Sequence, residues 1–390
     1  MSQAQHLRAD WLNSPATQAA CAMLTGAGHA AWLVGGCVRD ALLHLPVADL
    51  DITTDAAPET ILALAKAAGL RALPTGIAHG TVTVIIDGTA FEITTLRRDI
   101  ATDGRHATVA FTTDIAQDAA RRDFTINALY ADATGRVRDP LGGGLADLEA
   151  RRVRFIGDPA RRIAEDDLRI LRFFRFHAHY ADPAGGIDAQ GLAACAAGLD
   201  GLAGLSRERV GAEVRKLLSA PDPAPATAAM AQAGVLAAIL PGADPLALAP
   251  LIHLESQPPT TGIPPHWLRR LAVLGGADPG AALRLSRAEL RDLSALRDAI
   301  ARPDPPAALG YRLGAGLATD ATLARAALMG MPPAPGWQSE IAHGAQAQFP
   351  VRAADLMPNL QGPALGAELT RLQDRWIASG FRLTRAELLA

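Results

Sequence analysis

Residues 33–54 read LVGGCVRDALLHLPVADLDITT: an apolar run, a glycine pair, a helix-forming segment and a second run carrying two aspartates. Ala30 to Val34 (AAWLV) predicts a short strand, broken by Gly35-Gly36. Cys37 to Leu45 reads as a helix ended by Pro46, and Asp49 to Thr53 (DLDIT) as a second strand. Glycines at a strand–helix junction let backbone N–H groups approach a phosphate, and a helix start favours negative charge there. Residues two apart in a strand point to one face, so Asp49 and Asp51 converge. Two carboxylates this close repel unless a cation sits between them. Hard oxygen ligands favour Mg²⁺, and two carboxylates plus substrate phosphates suit two-metal phosphoryl transfer.

Beyond this segment, Pro58 to Ala68 predicts a helix with proline in its first turn. Thr81–Ile86, Asp87-Gly88 and Thr89–Leu96 predict a β-hairpin with Asp-Gly as its turn. Glu92 lies in its second strand, as a third carboxylate, a base toward an attacking hydroxyl, or a solvated strand residue. Arg97 to Ala107 (RRDIATDGRHA) is polar and reads as an ordered or mobile loop, the candidate moving element. RRDFTINALY, a strand around Arg136–Arg138 and the turn-rich DPLGGG follow. From Asp158 the pattern is almost wholly helical, punctuated at Pro221–Pro225, Pro241-Gly242, Pro258–Pro265, Pro303–Pro306 and Pro332–Pro335. The expected fold is thus α/β plus all-α, a small mixed-sheet domain followed by helices.

The chain has 390 residues, 49% hydrophobic and 20% charged, with a net charge of −3; a disordered polyelectrolyte is excluded. That charge makes no global case for nucleic acid, so any such surface is a local patch. Two lysines stand against 35 arginines, a bias that fits a GC-rich genome and warns against reading every arginine cluster as a site. Cys21, Cys37 and Cys195 form no disulfide framework or CxxC pair, which fits a reducing cytoplasm. Met1 to Pro15 is polar and reads as no signal peptide, and no apolar run predicts a membrane span. The histidines form no HxxxH or HD pair, and the sequence leaves the oligomeric state open.

Six ordered motifs carry a resemblance: GGCVRD…DLDIT, TGIAHGTVTV, EITTLRRD, RRDFTINALY, EDDLRILRFFRF and a tail reading GPALGAELTRLQDRWIAS…LTRAELL. Together they resemble the class II nucleotidyltransferases, the CCA-adding tRNA nucleotidyltransferases and bacterial poly(A) polymerases. The resemblance implies a head (1–140), a neck with a base-selecting helix (141–220), and a tRNA-binding body and tail (221–390). It implies addition of C, C and A to tRNA 3′ ends from CTP and ATP with Mg²⁺. Matched by position, Asp49 and Asp51 hold the metals. Gly35, Gly36 and Arg39 meet the incoming phosphates. Arg122 and Asp123 lie near the sugar and triphosphate, with Asn127 supporting them; their alternative is a capped helix start with a surface ion pair.

Asp158-Pro159 opens a predicted helix. At 100° per residue Ile163, Ile170, Leu171 and Phe174 share a core face, with Glu165, Arg169, Arg172 and Arg175 opposite and Asp166 at the edge. Such a face is also what a solvated helix shows. Yet cytosine and adenine each place an amine donor beside a ring-nitrogen acceptor, which a carboxylate and a guanidinium one turn apart complement. Asp166 and Arg169 match the family's base-selecting positions, and Arg172 and Arg175 neighbouring ones. Phe173 and Phe176 stack on a base or pack on the next helix, which Ser206 caps. Arg371, Arg375, Arg382 and Arg385 in the tail offer contacts to an RNA backbone. Poly(A) polymerase and partial CC- or A-adding enzymes remain rivals, with a non-catalytic RNA-binding protein as a rival of another class.

Overall fold

The computed structural model describes residues 5–103, 106–257, 263–357 and 359–390. The chain divides into two compact units, Met1–Glu213 with Gln232–Ile239, and Val214–Ala231 with Leu240–Ala390. Among the described residues the first unit holds nine strands: β1 (Trp32–Val34), β2 (Leu50–Thr54), β3 (Arg71–Gly76), β4 (Thr81–Ile86), β5 (Thr89–Thr95), β6 (Arg97–Asp103), β7 (His106–Phe111), β8 (Tyr130–Ala131) and β9 (Val137–Arg138). Seven form a mixed sheet in the order β3-β4-β5-β2-β1-β8-β9. Only β2 and β5 run parallel; the other pairs are antiparallel.

The period-2 pattern positions the site. Ile52, Val82, Val84, Phe91 and Ile93 are fully buried, and α1 (Pro15–Thr25) and α3 (Pro58–Ala67) pack against this part of the sheet. Alternation then turns Asp51 and Glu92 to the opposite face. Helix α2 (Gly36–Leu42) follows β1 directly. Strand β3, which has no clear apolar alternation, carries Pro74 at the sheet edge, where proline breaks no ladder.

Two expectations are corrected here. Arg97 to Ala107 is not a loop: β6 and β7 form an antiparallel hairpin from Arg97↔Phe111 to Asp103↔His106. The hairpin forms a two-stranded sheet of its own, and β6 (RRDIATD) carries no period of two to mark it. Gly104 and Arg105 lie outside the described residues, as do residues 1–4 and Pro258–Gly262 of other stretches read above. Second, the helix opened by Asp158 does not run through Phe176. It ends as α6 (Pro159–Glu165), Asp166 adopts an extended φ of −160°, and α7 (Leu168–Tyr180) begins anew. Despite that break, the four residues expected on the core face, Ile163, Ile170, Leu171 and Phe174, are all buried, while Glu165, Arg169, Arg172 and Arg175 are not.

Helices α4 (Ile115–Ala120), α5 (Gly144–Glu149), α8 (Ala189–Ala197) and α9 (Arg207–Leu218) complete the order as far as residue 218. Beyond it come α10 (Ala224–Gln232), α11 (Val235–Ile239), α12 (Leu248–Ser256), α13 (Trp267–Leu274), α14 (Pro279–Ala282), α15 (Arg287–Ala301), α16 (Pro306–Met329), α17 (Trp337–Gln346), α18 (Gly362–Ala378) and α19 (Arg385–Leu389). In the second unit Arg269 and Arg270, each 1% exposed, share Glu255, and Arg269 also pairs with Asp320. Helices α16 and α17 cross backbone to backbone. A Cβ on Gly344 would lie 1.8 Å from the Ala307 carbonyl oxygen, and one on Gly310 2.2 Å from that of Ile341. Gly344→Ala is therefore expected to cost about 1–3 kcal/mol, read as a lower thermal midpoint by calorimetry. An unchanged midpoint would show that the helices do not meet this closely. No helix among the described residues is long and apolar enough to cross a membrane.

Candidate active site

Gly35 joins β1 to α2 with φ +73°, ψ −120°, a conformation that L side chains rarely adopt. A Cβ there would also sit 3.5 Å from Arg122 Nη1. Across the sheet, Asp51 and Glu92 are register partners on the parallel strands β2 and β5, and so lie side by side. Asp49 is exposed and directly precedes β2. Burial raises the Asp51 pKa above its ordinary value, Glu92 and Asp49 raise it further, and Arg122 opposes them. Asp51 therefore feels both neighbouring carboxylates. Among the described residues, however, no three His, Cys, Asp or Glu side chains are arranged to hold a metal. Asp49 and Asp51 remain the pair expected to do so, with Glu92 beside them.

Strand β8 pairs with β1, and this delivers RRDFTIN next to the glycine turn. Arg121 and Arg122 both reach back to Asp118 of α4, which is 0% exposed. The Tyr130 hydroxyl donates to the same carboxylate at 2.8 Å. Burial alone would lift the Asp118 pKa; Arg122, Arg121 and Tyr130 instead hold it at about 2. Asp123 is buried, accepts from Asn127 Nδ2 at 2.9 Å and from Arg172 Nε at 2.7 Å. Asn127 Oδ1 accepts from Arg39 Nη1. Arg39, Asn127, Asp123 and Arg172 thus form one hydrogen-bonded chain from α2 to α7. RRD is no capped helix start with a surface ion pair, since Asp123 and Asn127 are buried.

At the α6–α7 break the side chains take partners the sequence did not pair. Arg209 Nη2 of α9 donates to both Asp166 oxygens, at 3.0 and 2.7 Å. Arg169 Nη1 pairs with Glu165 at 2.6 Å and the Arg162 carbonyl, and Nη2 with the Arg121 carbonyl. Its Nε–H and one Nη2–H have no partner among the described residues. Arg175 pairs with Glu213 of α9 at 2.6 Å. Phe173 and Phe176 are buried, and the Phe176 ring lies beneath the guanidinium groups of Arg39, Arg172 and Arg175. Neither ring is open to a base: Phe173 packs on Phe155 and Phe124, and Phe176 on Phe124. Ser206 Oγ accepts from the Arg209 N–H near the start of α9.

Residues 31–154 match the family described as Poly A polymerase head domain, and residues 186–246 the one described as Probable RNA and SrmB- binding site of polymerase A. The chain is 44% identical over 192 residues to mouse CCA tRNA nucleotidyltransferase 1, mitochondrial, covering 49% of this chain and 44% of the mouse protein. It is 39% identical over 217 residues to the CCA-adding enzyme of Geobacillus thermodenitrificans, covering 55% and 52%. The structure of the Bacillus stearothermophilus CCA-adding enzyme in complex with CTP superposes with a TM-score of 0.74 at 28% identity, covering 94% of each chain. The chain is thus similar in sequence to the CCA-adding enzymes over about half its length, and in fold to one of them over nearly all of it. It spans about half the length of the curated relatives it matches.

Nucleotidyltransferases of this family depend in general on a divalent metal. The sequence singled out Gly35, Gly36, Arg39, Asp49, Asp51, Glu92, Arg122, Asp123 and Asn127, and the structure brings them into one region. It missed Asp118, Arg209, Glu213 and Tyr180. Asp118 carried one legible signal, its place four residues before Arg122. Arg209 and Glu213 sit at helical spacing but meet α7 only in three dimensions. In the tail Arg371 pairs with Glu368 and Arg385 with Asp355, so two of its four arginines are already engaged at the surface.

Proposed function

We propose that the protein adds CCA to the 3′ ends of tRNA from CTP and ATP, releasing pyrophosphate. The observation that carries this reading is the Arg39–Asn127–Asp123–Arg172 chain, which ties the helix after the glycine turn to the helix bearing Arg169. The relative solved with CTP and those named for tRNA support the substrates. In the reaction the tRNA 3′ oxygen bonds to the α-phosphorus as the bond to the β-phosphate oxygen breaks. Asp49 and Asp51 would hold Mg²⁺, whose charge offsets their repulsion and that of the phosphates. Glu92, exposed beside Asp51, accepts the proton of the attacking hydroxyl. The turn at Gly35-Gly36 receives phosphates, Arg122 adds positive charge there, and Asp123 with Asn127 orients the sugar side.

Base choice falls to Asp166 and Arg169. Arg209 holds the Asp166 carboxylate by one nitrogen, leaving lone pairs for an exocyclic amine, while the uncommitted N–H groups of Arg169 face the ring nitrogen. Asp166→Ala is expected to relax discrimination of CTP against UTP by about 10- to 100-fold, measured by competitive single-nucleotide incorporation. Unchanged discrimination would remove Asp166 from the pocket. We assign residues 1–140 as head, 141–220 as neck and 221–390 as body and tail, and place the protein in the cytoplasm, supported by three buried free cysteines. Extension of a tRNA lacking CCA, with CTP, ATP and Mg²⁺, tests the function. Three additions are expected; two additions, a long A ladder or none would overturn it.

A further inference from the structure

Tyr180 ends α7, 11 residues beyond Arg169. Eleven residues are close to three turns, so the two lie on one side of the helix, about 16 Å apart along its axis. That is the reach from a base-selecting group to a phosphate-binding turn. At the far end the Tyr180 hydroxyl accepts from Arg39 Nη2 at 2.7 Å, and the guanidinium carbon stands 4.0 Å from the centre of the tyrosine ring. The same hydroxyl hydrogen-bonds the Asp40 carboxylate. Asp40 in turn accepts from Arg39 Nε at 2.8 Å and from Nη2 at 3.0 Å.

Arginine has five N–H groups. In Arg39, Asp40 takes two, Asn127 one and Tyr180 one, leaving a single Nη1–H. Arg39 is only 6% exposed, and its Nη2 lies 3.7 Å from where a Cβ on Gly36 would stand. It is also the point at which a ring of contacts closes. From Arg39 the path runs through Asn127, Asp123 and Arg172 into α7, along two turns of helix, and back through Tyr180. Cutting the ring at Tyr180 frees one end of Arg39 while the Asn127 side stays tied.

We propose that Tyr180 is a positioning residue for triphosphate binding: it fixes the Arg39 guanidinium over the glycine turn and thereby aligns the phosphate end of the site with the base-selecting end of α7. This rests on the nucleotidyl-transfer reading above. Tyr180→Phe keeps the ring over Arg39 and removes only the hydroxyl; Tyr180→Leu removes both contacts.

The test uses the full chain and compares KM and kcat for CTP addition with the affinities for CTP and for cytidine, which has no phosphates. For Tyr180→Phe the KM and Kd for CTP should rise about three- to tenfold, with kcat within about twofold and cytidine affinity unchanged. Tyr180→Leu should extend the same pattern. Equal loss of CTP and cytidine binding would mean that Tyr180 only supports the fold, and unchanged CTP affinity in both variants would equally overturn the proposal. If the unmodified protein binds CTP yet extends no tRNA, the functional reading fails while the contrast between CTP and cytidine still decides the role of Tyr180. If it binds no CTP, both fail.

Discussion

Asp51→Asn is expected to reduce nucleotide addition at least about a thousandfold while leaving the protein more stable at neutral pH. The two effects share one cause. Asp51 is half-buried, stands beside Glu92 and feels Asp49, so its ionised form is unfavourable in the folded chain. That is the arrangement a cation relieves, and an amide cannot take its place. Its raised pKa means that the folded chain holds this proton more tightly than the unfolded one. The penalty is absent below the ordinary carboxylate value of 3.8, grows as pH rises through the folded pKa, and is complete above it. The midpoint gap between Asp51→Asn and the parent should therefore open with rising pH. Single-turnover extension and thermal melts across pH measure both effects. Activity retained at the parental rate would falsify the metal assignment, and a variant less stable than the parent at pH 7 would contradict the charge argument.

Asp118→Ala should cost about 3–5 kcal/mol, more than any other single truncation near the site. Asp118 is wholly buried and is the shared partner of Arg121, Arg122 and the Tyr130 hydroxyl. Removing it strands Arg122 between β8 and the glycine turn with a charge and no carboxylate beneath it. The pH dependence runs opposite to that of Asp51. Its pKa is depressed from 3.8 to about 2, so its ionised form favours folding. That contribution, about 2–3 kcal/mol, is present at neutral pH and is lost as pH falls from about 3.8 through about 2. Urea titration at pH 7 and at pH 2 should show a gap that narrows in acid. Nucleotide addition should fall as well, because this ion pair is the charged partner that holds Arg122 beside Gly35, with Tyr130 its remaining neutral contact. A loss under about 1 kcal/mol at pH 7 would mean that Arg122 finds another partner.

The strands and the glycine turn were legible because their signals are local. Alternation in TVTVII and FEITT marks β4 and β5, and Asp87-Gly88 marks the turn between them. Gly35 could be read as a backbone requirement, and its φ of +73° bears that out. The β6–β7 hairpin was not legible, since RRDIATD is largely polar without a period of two, and the alternation in HATVAF falls mostly beyond the stretch read as a loop. The break at Asp166 was hidden for a related reason. Helix-forming residues continue on both sides of it, and what favours an extended Asp166 is contact with Arg209, 43 residues away.

Chemistry and partnership divide in the same way. Which residues carry charge, and which strand faces share carboxylates, follow from residue type and from periods of 2.0 and 3.6, properties of a short segment alone. Which carboxylate meets which guanidinium does not. Arg172 takes Asp123, Arg175 takes Glu213, Asp166 takes Arg209 and Arg39 takes Tyr180, each across at least 38 residues of chain. A buried arginine must find acceptors wherever packing places them, so those choices were settled only when β8 docked on β1 and α7 packed against α9 and the glycine turn.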